Sequence, residues 1–118
     1  MPFARVLIGG ANLTSEKKVE LASAISGVLA SVIGKPESYC AVNVECSDGL
    51  VFGGSADPAA IVNVESIGFG SRDAIKGEVC EQISSAISSA AGVDEGRIYV
   101  NFSSFSHDSW GMGGNMFG

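Results

Sequence analysis

The sequence predicts an α/β domain of two β–α–β units, with four strands in one sheet and both helices on one face. Three observations carry that prediction. An offset of 58 residues lays the second half of the chain on the first: Gly34 meets Gly92, Glu37 meets Glu95, Val42 meets Val100, Asn43 meets Asn101 and Ile25 meets Ile83. Each half holds one stretch with apolar residues three and four apart, the mark of a helix with a single apolar face. Short β-branched apolar runs flank each stretch, as strands do.

The first half opens on a strand over residues 3–8. Thr14 then offers a hydroxyl to cap the first helix, because it can accept an orphan amide N–H. Val19, Ala22, Ile25, Val28, Leu29 and Val32 form that helix's apolar face. Gly34 suits the left-handed residue that ends a helix, and Pro36 blocks a return to it. A strand follows over residues 39–45. The second half repeats the order: a strand at 61–67, Ser71 as cap and an apolar face of Ile75, Val79, Ile83, Ala86, Ile87 and Ala90. Gly92 is the stop, and the last strand covers 97–102. The crossovers are expected to be parallel and right-handed. The strands read as apolar almost throughout, so the face without helices is expected to be apolar and to meet another subunit.

Composition bounds the function. At 118 residues the chain is one domain, residues 1–118, with repeat halves 1–58 and 59–118. Apolar residues make up 46% and charged residues 17%, which excludes disorder. A net charge of −6 lacks the basic footprint that nucleic acid or an anionic membrane requires. No run is long enough for a membrane span, and no basic start leads into an apolar leader, so a cytoplasmic protein is expected. Cys40, Cys46 and Cys80 have no metal-ligand spacing and read as three buried or half-buried thiols. The run Ser106-His107-Asp108-Ser109 reads as a polar loop, because catalytic triads are assembled in space and not in a row.

Met1-Pro2 carries a chemical signal. Initiator methionine is usually trimmed before a small residue, which leaves Pro2 with a free secondary amine. Such an amine serves as a base near neutral pH only if its charged form is disfavoured. An apolar pocket and a nearby cation both do this. Lys35 is the candidate cation, and Phe3, Ile67, Trp110, Met112 and Phe117 are candidate walls. The alternative is a stable N-terminus with no chemistry. Lys35 has a second role open to it, since a cation after a helix end favours the helix dipole.

Several pieces lie in order along the whole chain: Met1-Pro2, Gly34-Lys35-Pro36, Phe52-Gly53-Gly54-Ser55, Asp57-Pro58, Ser66-Ile67-Gly68, Arg97-Ile98-Tyr99-Val100-Asn101 and Phe117. With them the chain resembles the macrophage migration inhibitory factor (MIF) and D-dopachrome tautomerase family of the tautomerase superfamily. The resemblance implies a homotrimer whose three sheets enclose a central barrel. It implies cofactor-independent keto–enol tautomerisation, with Pro2 as general base and phenylpyruvate-type and dopachrome-type substrates. Lys35 is then the residue for the substrate carboxylate, Ile67 a backbone contact, and Ser66 lines the mouth. Tyr99 is a pocket wall, and Asn101 either comes from the neighbouring subunit or, as its repeat mate Asn43 suggests, is a turn or edge amide. Tyr39 is either an aromatic at the pocket entrance or an ordinary strand aromatic. No cofactor and no metal are implied.

The resemblance also implies an alternative: a secreted, cytokine-like ligand with vestigial catalysis, exported without a signal peptide and bound by a receptor of the MHC class II invariant chain type. The chain departs from the family in three places. Ala59 and Val62 stand where some members have a Cys-x-x-Cys pair, so thiol–disulfide activity is not expected. Trp110 and Met112 replace the usual aliphatic and tryptophan of the tail. Glu65 stands where mammalian members have histidine.

Overall fold

The computed structural model describes the whole chain, Met1–Gly118. Its elements are β1 (Pro2–Gly9), α1 (Ser15–Val28), β2 (Ala41–Ser47), β3 (Ala59–Ser66), α2 (Ile75–Ala91) and β4 (Ile98–Ser104). A short terminal hairpin follows, β5 (Gly111–Met112) and β6 (Asn115–Met116). The main sheet has the order β2-β1-β3-β4. β1 and β2 are parallel, β3 and β4 are parallel, and β1 and β3 join the halves antiparallel.

The 58-residue offset is a property of the register. Arg5 lies opposite Asn43, and its repeat mate Asn63 lies opposite Asn101. Arg5 and Asn63 also face each other across the central pair. Alternate strand positions therefore divide cleanly between the two faces. Ala4, Val6, Ile8, Val44, Ala60, Val62, Val64 and Ile98 turn to the helices, where Leu21, Ile25, Leu29, Ile33, Ile75, Val79, Ile83 and Ile87 cover them. Both helices lie on this face, as the sequence predicts.

The helix ends follow local chemistry. Thr14 caps α1 by accepting the Lys17 amide at 3.2 Å. A π turn, Leu29–Ile33, extends α1 and keeps Leu29 and Ile33 buried before the chain leaves for Lys35. Gly34 and Gly92 hold left-handed conformations, with φ of 80° and 68°.

Four expectations are corrected. Val19 is 66% exposed, because the buried ridge of α1 runs through Leu21, Ile25, Leu29 and Ile33, spaced by four. Ser71 caps nothing: α2 starts after Ala74, and the Arg72–Glu78 ion pair at 3.0 Å braces its first turn instead. Residues 37–39 form a 3-10 turn, so β2 begins only at Ala41. The helix-free face is polar along its middle, where the register sets Asn43, Arg5, Asn63 and Asn101 in one row. Arg5 pairs with Glu65 at 3.2 Å, Asn43 donates to Glu45 at 2.7 Å, and Asn63 donates to Asn101 at 2.8 Å.

Gly34→Ala and Gly92→Ala each place a Cβ in the left-handed region with no other atom within 4 Å of it. The cost is therefore backbone strain alone, about 1–2 kcal/mol. Urea unfolding at fixed protein concentration is expected to show that loss for each, with Asn at either position costing less.

Candidate active site

The chain start, the entry to β2 and the exit from β3 meet at one end of the sheet. Pro2 is buried and stands directly opposite Ser66. Phe3 pairs with Ala41, so Cys40 arrives beside Pro2 from the other side. Lys35 and Tyr39 sit on the connection into β2, and Ile67 follows β3. The tail closes over this end. The Phe105 amide donates to the Ser66 carbonyl at 2.8 Å, and the Phe105 and Trp110 rings meet edge to face at 5.5 Å. The Phe117 amide donates to the Trp110 carbonyl at 3.0 Å, and the Phe117 ring meets Tyr39 at 6.1 Å. The terminal hairpin thus carries Trp110 and Phe117 back to the start of β2.

The electrostatics at this end act on the terminal amine. Burial, and after it the Lys35 cation, lower the pKa of the Met1 α-amino group, against a smaller upward pull from Cys40. Burial raises the Cys40 thiol, with the nearby amino terminus opposing it. The Cys40 thiol donates to the Pro36 carbonyl at 3.7 Å. With Met1 attached, the Pro2 nitrogen is an amide. Removing Met1 moves the free amine onto Pro2, deeper into the same surroundings.

The structure therefore brings Pro2, Lys35, Tyr39, Ser66, Ile67, Trp110 and Phe117 to one end of the molecule. Ser66 is fully buried there, not at the mouth, and its hydroxyl has no partner. The other named residues lie elsewhere. Phe3 turns to the helix-free face, under the Arg5 guanidinium at 4.8 Å. Tyr99 and Asn101 lie on that same face of β4, opposite Ile61 and Asn63. Tyr99 is level with Leu7, roughly 17 Å along the sheet from Pro2. Met112 is 58% exposed on the hairpin. Sequence reasoning missed Cys40 and Phe105. Nothing local in the sequence marks either as a member of this end.

A duplicated β–α–β domain with its second residue, Pro2, buried near a lysine agrees with the tautomerase-superfamily resemblance of the sequence. The family model described as macrophage migration inhibitory factor (MIF) matches residues 1–118. A Brugia malayi macrophage migration inhibitory factor homolog is 32% identical over 94 residues, covering 79% of this chain and 80% of that protein. The Toxoplasma gondii macrophage migration inhibitory factor superposes with a TM-score of 0.91 at 29% identity, over 98% of this chain and 99% of that one. A MIF-like protein of Entamoeba histolytica gives 0.90 at 32% identity, over 98% of both chains. The chain belongs to the MIF family.

A lowered amine pKa has a definite sign in stability. The folded chain holds that proton less tightly than the unfolded chain, so the shift costs stability where both states are protonated. Stability recovers as pH rises from the folded to the unfolded pKa of the amine. Replacing Lys35 with Met is expected to raise the amine pKa yet leave it below its ordinary value, because burial is the larger cause. Nitrogen-detected NMR titration of the labelled terminus checks this, and an unchanged pKa removes Lys35 from the account.

Proposed function

We propose that the chain, once Met1 is removed, is a cofactor-independent keto–enol tautomerase of phenylpyruvate-type and dopachrome-type substrates. The observation that carries this reading is the burial of Pro2 at a sheet end where burial and, after it, Lys35 already disfavour the protonated form of the Met1 amine one residue away. Neutral Pro2 takes a proton from the substrate carbon or from its enol oxygen. The electron pair of the broken bond enters an enolate system, and the prolinium returns the proton to the other atom. Lys35 holds the substrate carboxylate by charge, and the backbone at Ile67 orients the carbonyl. Ser66, Tyr39, Trp110 and Phe117 enclose the ring end.

Tyr99 and Asn101 enter from a neighbouring copy in a homotrimer. Their exposure, and their distance from Pro2 in one chain, support that arrangement. The polar row on the helix-free face suits an interior that holds water between three sheets.

Trimmed protein is expected to tautomerise hydroxyphenylpyruvate, and Pro2→Gly to lower kcat/KM by about 10²–10⁴, the usual range for a general base. Lys35→Ala is expected to raise KM. Equal rates in wild type and Pro2→Gly would remove the base assignment. A second reading is a secreted immune-modulating ligand, whose support is the relatives' shared name, macrophage migration inhibitory factor. Receptor binding of the invariant-chain type that survives Pro2→Gly would support it.

A further inference from the structure

Arg97 is the last residue before β4, and its guanidinium meets no carboxylate. The two ion pairs of the chain are Arg5–Glu65 and Arg72–Glu78. Arg97 instead donates to three backbone carbonyls of one loop: Pro58 at 3.0 Å, Asp57 at 3.1 Å and Ser55 at 3.2 Å. That loop is itself closed. Phe52 and Ser55 exchange amide–carbonyl bonds at 2.9 and 3.1 Å, around Gly53 and Gly54 at φ of 61° and 78°. The guanidinium carbon lies 5.2 Å from the centre of the Phe52 ring. The Phe52 ring in turn lies 4.7 Å from that of Tyr99, tilted by 50°.

These contacts form a stack in the order Arg97, Phe52, Tyr99. Its inner end is fixed by three hydrogen bonds. Its outer end, Tyr99, is 64% exposed. The tyrosine ring is in contact with Phe52 on one side, and most of the residue is open to solvent. Holding an exposed aromatic in place before it meets a ligand lowers the ordering cost of binding.

We infer that Arg97 is a positioning residue for substrate binding, acting through Phe52 on Tyr99. The inference rests on the reading that Tyr99 serves the neighbouring copy's site. The planar fork of arginine is what reaches three carbonyls while lying over a ring, and lysine cannot reproduce it.

The test uses the trimmed oligomer with hydroxyphenylpyruvate. Arg97→Lys is expected to raise KM about three- to tenfold, the size of one aromatic contact, with kcat within about twofold and sedimentation unchanged. Phe52→Leu is expected to do the same, although it leaves the three hydrogen bonds of Arg97 intact. In a Tyr99→Ala background, Arg97→Lys is expected to have no further effect on KM. An additive effect there, or a loss of kcat and of the oligomer with KM unchanged, overturns the inference. So does a Tyr99→Ala effect that neither Arg97→Lys nor Phe52→Leu shares, which leaves the intersubunit reading standing. A Tyr99→Ala variant with unchanged KM overturns both.

Discussion

The register of β1 is the constraint on which the rest of the structure depends. β1 is the strand that joins both halves, paired in parallel to β2 and antiparallel to β3. Its even positions, Pro2, Ala4, Val6 and Ile8, are all buried, and Arg5 between them is exposed. A slip of one residue would turn Arg5 into the core and the apolar set toward the polar face. The core therefore holds the register, and the register holds Pro2 between Cys40 and Ser66. The place of the chain start is a consequence of burial some residues away.

Duplication makes two similar ends of the sheet, and they have diverged. The repeat mates of Pro2, Lys35 and Cys40 are Ala60, Val93 and Ile98, and all three are buried and apolar. Two of the substitutions remove polar or ionisable groups, and the third places an interior strand residue where the first half has a chain start. One end is sealed and the other is left with an amine, a cation and a thiol. The sealed end carries a different feature in the loop held by Arg97. That loop has its anchor in Arg97, whose repeat mate is Tyr39, so the same position supplies an aromatic at one end and a clamp at the other.

Much of this was legible in the sequence because it is local or repeated. The two helix stops depend on single glycines, and the strand pairing follows the half-length offset. The polar face was less legible. Asn43, Arg5, Asn63 and Asn101 are scattered along the chain, and each strand taken as a run looks apolar; only the register collects them into a row. Phe3 shows the same limit, since its nearness to Pro2 in sequence places it on the opposite face. The sheet end that gathers Pro2, Lys35 and Ser66 was readable through family motifs. The contacts of Phe105 with Ser66 and of Phe52 with Tyr99 span about 40 residues or more and leave no periodic trace.

The separation of Tyr99 from Pro2 bears on how copies would assemble. The two lie far apart along one sheet and on opposite faces, so no rearrangement within the folded chain unites them without breaking the register of β1. If both serve one site, the contact joins the Pro2 end of one copy to the Tyr99 edge of another. That contact is heterologous, and such contacts either close into a ring or grow into a filament. The polar row favours closure. Asn63 pairs with Asn101, and Arg5 and Asn43 pair with Glu65 and Glu45, along a face that can remain wetted, so burial against a flat apolar partner would leave their spare donors unpaired. If such a ring forms, sheets around a water-filled interior would keep those groups hydrated, and the same contact would bring each tyrosine to its neighbour's amine.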